Sequence, residues 1–469
     1  MLLRVIDSIL SGFRSCFSRQ AAFDWFRIIV VGLIVRFDHY GTTSFIRWLF
    51  IDPQYYGLVL HFFRTSSWTV SVLMDSWTKA VIDRYPIIEF NGRALQIGDT
   101  IKVGKEAQKM PAVKTLRQDS EDNSKPEFIR GHHFAFIGLL VGSIARAFCV
   151  PLQGQITEGT EGFRPDNASE TITSRMARLA VLKATQMGRL CYLALDAYFS
   201  VGPVFLILRQ AVNEKGEQLV HLVTRAKDNY VGFYDRSPKR YKDKDKVSLM
   251  DIFDFPRIFD QGQVLIKGEL KTISYFCIDL LWQPVDALVR FVCVLDGEDK
   301  YILMSSDLSL PAIDIITIYN YRPKIEVMFW VLKHLLGGFC YHFWTKSFPK
   351  LKKGQKLDIS KLPEEARGKF ADTLDAIERF VNLSSIALGL LQYLSLTYRS
   401  LIWNLYEGWL RTTSSASPSE GVVQSVIRSE FFTSIGKASA GKVPSSRTLQ
   451  LIIAKGRPPK TQTQLEEAV

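Results

Sequence analysis

Residues 189–225 read RLCYLALDAYFSVGPVFLILRQAVNEKGEQLVHLVTR. The apolar run 189–195 is short and closes on Asp196, which predicts a buried strand. A helix follows over 202–212 and a second apolar strand over 219–225. Strand, helix and strand in that order predict an α/β core. Upstream, 174–188 reads as another helix, and 87–90, 93–98 and 134–141 read as short strands. The polar stretch 102–130 and the Gly/Thr/Glu-rich stretch 151–172 read as loop-rich.

Downstream, the alternation is interrupted over about 230–300. A run of lysines and aspartates from Lys239 to Lys246 precedes strand-like segments at 263–267, 273–281 and 287–295, which predicts a β-rich insertion. The α/β texture returns with 301–305, followed by helices from Pro311 and over 323–336, the last stopped by Gly337 and Gly338. Both ends of the chain look helical. Apolar residues recur at helical spacing over 2–17 and 23–35, and caps precede 45–50 and 68–82. A long helical pattern covers 364–411, and the Ser-, Thr-, Gly- and Lys-rich stretch from Thr412 predicts a flexible basic tail. The expected organisation is therefore a helical N-terminal domain (1–85) that binds DNA or serves as a packing domain, an α/β core (86–350), a helical C-terminal region (351–411) and a tail (412–469).

Composition narrows the classes of function. Over 469 residues, 47% hydrophobic and 23% charged content excludes a disordered or collagen-like chain. The net charge of +12 favours a polyanionic partner, either nucleic acid or an anionic membrane surface. Cys16, Cys149, Cys191, Cys277, Cys293 and Cys340 lie far apart with no C-x-x-C pair, which argues against a disulfide scaffold or structural zinc and fits a reducing compartment. The apolar window 26–35 is too short to span a bilayer. The window 383–403 is long enough but carries Gln392, Tyr393, Tyr398 and Arg399, so both read as buried helices. No small-residue cleavage site follows the N-terminal segment, so no signal peptide is expected.

The most specific pattern is Tyr319-x2-Arg322-x3-Glu326-x6-Lys333. By itself such a pattern describes a solvated helix face with an Arg–Glu i,i+4 pair. Its neighbours Ile325, Val327, Met328, Phe329, Val331 and Leu332 are apolar nearly all round, which predicts a mostly buried helix. A buried Glu and Lys need partners, for which metal or phosphate are natural. Pro323 fits the first helical position, leaving Tyr319 and Arg322 at the start of the helix and Glu326 in its first turn. Asp196 closes the strand 193–195 and reads as a cap or a ligand. Asp99 ends the run 95–98 and reads as a turn residue or a ligand, with Asp119 and Asp122 as alternatives in the polar stretch that follows. Two strand-end carboxylates and one helical carboxylate form a set able to hold two divalent cations.

The order Asp99, Asp196, Tyr319/Arg322/Glu326/Lys333, with a β-rich interruption before the last group, resembles the DDE transposases of bacterial insertion sequences, in the cut-and-paste family with a Tyr-Arg-Glu-Lys signature. The phrases 195–199, 223–229, 305–308 and 341–344 add to the resemblance, which covers about residues 90–350. The resemblance implies a ribonuclease-H-like core in which Asp99, Asp196 and Glu326 bind two Mg2+ or Mn2+ ions. It implies cleavage of phosphodiester bonds at the terminal inverted repeats of a mobile element and joining of the 3′-hydroxyl ends to target DNA. Arg322, Lys333 and Tyr319 would contact DNA, and Trp282, in the insertion, would meet a displaced base or else serve as a core strand residue. The expected partners are double-stranded DNA and a second copy of the chain, assembled as a dimer on DNA because two element ends must be brought together; the apolar residues of 364–411 read first as core packing and second as a dimer surface. No membrane partner is expected, and the localisation is bacterial cytoplasm, at the nucleoid. A ribonuclease-H-like nuclease without strand transfer and a domesticated, non-cutting DNA-binding derivative are the alternatives.

Overall fold

The computed structural model describes residues 1–118, 126–144, 146–160, 170–235, 241–266, 269–349, 361–411 and 417–457. The chain opens with helices α1 (Leu2–Ser11), α2 (Gln20–Val35), α3 (Thr43–Trp48), α4 (Tyr56–Phe62) and α5 (Val70–Arg84). Strands β1 (Glu89–Phe90), β2 (Arg93–Gly104), β3 (Lys114–Arg117), β4 (Phe128–Ser143) and β5 (Arg146–Ile156) follow. Then come α6 (Ile172–Met187), β6 (Cys191–Leu195), α7 (Gly202–Gln210) and β7 (Val220–Arg225). Strands β8 (Val231–Phe233), β9 (Lys246–Ser248), β10 (Asp260–Ile266), β11 (Glu269–Trp282), β12 (Ala287–Asp296) and β13 (Asp299–Ser305) lead to α8 (Ala312–Asn320) and α9 (Lys324–His334). The last helices are α10 (Glu364–Thr397), α11 (Arg399–Leu405), α12 (Glu420–Ser439) and α13 (Arg447–Ala454). These elements form two compact units, one of residues 81–104 and 114–329 and one of residues 1–80, 105–113 and 330–469.

The first unit is mixed α/β. Its sheet runs β3-β4-β2-β6-β7-β13-β12-β11-β8-β9, with β5 paired to β4, β1 to β2 and β10 to β11. The strands β2, β6 and β7 are parallel, β4 is antiparallel to β2, and β5 is antiparallel to β4. Every residue of β6 is buried, as an inner strand covered on both faces requires. Gly188, at φ +62°, ends α6 in the left-handed region, where a side chain would be strained. Strand parity shows how the two faces are covered. A Cβ on Gly98 would lie 2.7 Å from Leu195 and 2.9 Å from Met176 of α6, so α6 packs tightly on that face. A Cβ on Gly138 would instead come 3.6 Å from Met328 of α9, on the opposite face. There Phe136, the β4 partner of Asp99, meets Phe329 edge-on at 5.3 Å. The β-rich stretch near 230–300 does not leave the sheet, because β11 and β12 pair antiparallel and extend it beyond β13.

The second unit is helical. α2 is buried from residue 25 through 35 and packs on α10, α12 and α13. The core includes Phe17 against Phe26 at 5.0 Å and Phe62 stacked on Trp68 at 5.1 Å. Gly389 permits close approach of α10, since a Cβ there would lie 2.2 Å from the Trp77 ring. Arg36 is fully buried, donates to the carbonyls of Gly41, Leu336 and Gly337, and lies over the rings of Phe45 and Phe380. Because its two terminal nitrogens donate to backbone oxygens, the charge ties three chain segments together without a carboxylate.

One expectation changes here. The stretch from Thr412 carries α12 and α13, with Val423, Ile427, Phe431 and Leu449 buried, where a flexible tail was predicted. The scattered apolar residues of α12 belong to a helix held by tertiary packing, and Ser419 caps its first turn. Residues 412–416 and 458–469 of that stretch, and 351–360 of the predicted C-terminal region, lie outside the described residues. For α10 the sequence allows two readings. Its apolar residues Leu388, Leu390, Leu391 and Leu394 are fully buried within the chain and supply core, as the first of the two readings of this segment has it, while Tyr393 and Leu396 are half-buried. The same helix is long and apolar enough to cross a membrane, and 83% of its apolar window is buried inside the protein, the pattern of a core helix.

Candidate active site

Strand register brings the first two carboxylates together. Ile97 of β2 pairs with Ala194 of β6 in parallel, and two residues further along each strand stand Asp99 and Asp196, on the same face. Asp196 follows the last residue of β6, while β2 continues to Gly104, so Asp99 lies inside a strand and not at its end as predicted. The run 100–104 alternates polar with apolar residues, and its pairing to β4 keeps it extended. Asp196 also caps the short helical turn Ala197–Phe199, its Oδ1 accepting the Tyr198 N–H at 3.1 Å. Thr224, at the end of β7, donates its hydroxyl to the Asp196 carbonyl at 2.8 Å and fixes the backbone there.

The third carboxylate comes from the face opposite α6. Tyr319 lies in the last turn of α8, Arg322 in the link between helices, and Glu326 in the first turn of α9. The helix is two-sided, which corrects the expectation of near-complete burial. Ile325, Met328, Phe329, Val331 and Leu332 are buried, while Glu326, Val327, Trp330, Lys333 and His334 form an exposed stripe. The apolar count misled because Val327 and Trp330 are 54% and 62% exposed.

One guanidinium joins the set. Arg322 Nη2 lies 2.6 Å from Asp99 Oδ2 and 3.7 Å from Asp196 Oδ2, and its Nη1 donates to Glu326 Oε1. Exposure increases across the group, with side chains of Asp99 and Arg322 14% and 16% exposed, Asp196 34% and Glu326 56%. The site is therefore walled on the Asp99 side and open on the Glu326 side. Burial, with Asp196 and Glu326 adding, pushes the Asp99 carboxyl up to about 6 despite the pull of Arg322. Burial likewise raises Asp196. Burial alone would lower the Arg322 guanidinium, yet the surrounding carboxylates outweigh it and raise its pKa. The Tyr319 hydroxyl is raised by burial and lies in the field of Arg322 and Arg225. Arg225, at the end of β7 and 5.9 Å from the Tyr301 ring, was not singled out from the sequence. Its signal was the phrase Thr224-Arg225-Ala226-Lys227 closing a strand parallel to β6.

The other expected residues lie apart from this group. Lys333 is exposed, two turns beyond Glu326 on α9. Trp282, expected to face DNA, is 3% exposed and packed between Phe205 at 5.1 Å and Tyr230 at 5.4 Å. It ends β11 as a core residue, and its ring faces are already covered. Asp119 and Asp122 lie outside the described residues.

The donor set can be tested against a divalent metal. Among the described residues no three His, Cys, Asp or Glu side chains stand close enough to share one ion, because the carboxylates converge on the Arg322 guanidinium. The chemistry fits nonetheless. Carboxylate oxygens are the ligands that Mg2+ and Mn2+ select, and Glu326, the most exposed of the three, has room to turn. No family model matches the chain, and no curated protein matches it.

Proposed function

We propose that the chain is a DNA transposase of the DDE type, cutting phosphodiester bonds at the ends of a mobile element and joining the 3′-hydroxyl ends to target DNA. The observation that carries the reading is the convergence of Asp99, Asp196 and Glu326, from two parallel strands and a helix, around one cationic group. The strand order β5-β4-β2-β6-β7, antiparallel then parallel, supports a ribonuclease-H-like core. In that core a carboxylate belongs on the central strand and another at the end of its parallel neighbour, the positions that Asp99 and Asp196 hold here.

In this reading Asp99, Asp196 and Glu326 would hold two Mg2+ or Mn2+ ions, whose chemistry would be to activate the attacking oxygen and stabilise the leaving one. The protein's own part is placement. The β2–β6 register fixes Asp99 beside Asp196, the Thr224 hydroxyl holds the Asp196 backbone, and the α8–α9 link presents Arg322 and Glu326 from the opposite side. Tyr319 and Arg225 add donors at the rim where a phosphate would enter. Lys333 contributes charge along the exposed stripe of α9.

The test is a cleavage assay on supercoiled plasmid carrying the genomic DNA that flanks the reading frame, with Mg2+ or with chelator. Metal-dependent cuts at matched inverted repeats, followed by joining, are expected. Cuts without joining would favour the plain nuclease, and no cutting with either metal would overturn the reading. A second expectation concerns salt. Each neutralised phosphate contributes about −0.9 to the log–log salt slope of duplex binding. Lys333→Ala should therefore make the slope less negative by about 0.9. A slope equal to wild type in a salt titration by fluorescence anisotropy would place Lys333 away from DNA.

A further inference from the structure

We infer that Arg322 is a positioning residue acting as an internal cation, holding the three carboxylates in register and competing with divalent metal for the same oxygens. The inference rests on the proposed site and goes beyond a role for Arg322 on DNA phosphate. Three observations carry it. Arg322 reaches Asp99 at 2.6 Å and Asp196 at 3.7 Å through one nitrogen and Glu326 through the other, so one fork spans all three groups. Its Nε is buried without a hydrogen-bond partner, so the guanidinium is committed to the carboxylates through its two terminal nitrogens. It also starts from the link between α8 and α9, where its own backbone N–H donates to the Tyr319 carbonyl at 3.0 Å and holds the root of the side chain in place.

The electrostatics follow directly. Three carboxylates gathered in a part-buried space repel one another, and a single guanidinium offsets that repulsion, hydrogen-bonding Asp99 and Glu326 and lying within ion-pair distance of Asp196. A divalent cation does the same with greater charge density but needs the oxygens that Arg322 now holds. Metal binding therefore has to displace the guanidinium from at least some of its partners, and the affinity measured includes that cost. The same guanidinium cannot bridge the carboxylates and grip a phosphate at once, so loading the site moves Arg322 from one anion to another.

The test measures Mn2+ binding to the full-length chain, without DNA, by calorimetry and by the free-Mn2+ electron paramagnetic resonance signal. Arg322→Ala should bind Mn2+ at least about tenfold more tightly than wild type, since a charged hydrogen-bonded competitor is gone. Arg322→Lys, which keeps the charge but not the fork, should return affinity toward wild type. If alanine lowers the melting temperature, Arg322→Gln supplies the neutral side chain with its hydrogen bonding retained. Asp196→Asn distinguishes the two levels of failure. Binding that Asp196→Asn removes but that neither neutral variant strengthens would overturn the competition and leave the metal site standing. Binding that is absent in every variant, or indifferent to Asp196→Asn, would overturn the site and the competition together.

Discussion

Asp196→Ala and Glu326→Ala should each reduce Mg2+-dependent cleavage of element ends to below about a thousandth of the wild-type rate, the scale seen when one member of a concerted catalytic set is removed. The two residues reach the same point from different elements, Asp196 from the end of β6 and Glu326 from the first turn of α9. Losing either leaves the remaining carboxylates unable to fix an aligned attack, because the geometry of an in-line displacement tolerates little misplacement. Binding to duplex DNA should fall by no more than a few fold, since neither carboxylate attracts phosphate. Asp99→Ala should lose cleavage alike, its carboxylate being the most buried of the three and paired with Arg322 at 2.6 Å. Rates near wild type for Asp196→Ala or Glu326→Ala in single-turnover assays would remove the assignment. A dead Asp119→Ala or Asp122→Ala beside an active Asp99→Ala would move the first carboxylate into the polar stretch after β3.

A second large effect is expected in acid, away from the site. His221 lies on β7 with Nδ1 3.1 Å from the Ser306 hydroxyl, which also accepts the Leu222 N–H at 2.9 Å. Burial, helped by the nearby Arg93 guanidinium, pushes the imidazole down to about 4 from an ordinary 6.5, while Asp307 pulls the other way. In the folded protein the ring is therefore neutral across the range in which the unfolded chain takes up a proton. Between pH 6.5 and 4 the unfolded state binds more protons, so stability rises with pH and is lost as pH falls. At about 1.36 kcal/mol per pH unit over that window, the loss between pH 7 and pH 5 is about 2 kcal/mol, and about 3 kcal/mol when complete. His221→Gln cannot take up the proton, so its urea-unfolding free energy should fall less over the same interval, by that difference. Parallel pH profiles for wild type and variant would show that His221 is not the group responsible.

The helices and strands that frame the site were legible because their signals are local. The run 189–195 and the phrase ending at Arg225 are too short and too apolar to be anything but inner strands, and Gly188 marks the end of α6 by its backbone freedom alone. Pro323 placed Arg322 just outside a helix and Glu326 in its first turn, where the structure has them. The spacing of Tyr319, Arg322, Glu326 and Lys333 is likewise a property of consecutive turns.

Burial and partnership were decided only by the tertiary structure. Val327, Trp330 and Lys333 share an exposed stripe although the segment is apolar by composition, because which side of a helix is covered depends on the sheet beneath it. Trp282 looked available in an extended segment, and the packing of Phe205 and Tyr230 removed it from the surface. The stretch after Thr412 has the composition of a tail, yet α12 is held by contacts with α2 and α10 that lie far off in sequence. The sequence by itself determined the elements that carry Asp196, Arg322 and Glu326, and the identity of the charged groups, since turns, caps and periodicity act over a few residues. The meeting of Asp99 with Asp196, and of both with Arg322, depends on the parallel register of β2 and β6 and the placement of α9, contacts between residues as much as 223 positions apart.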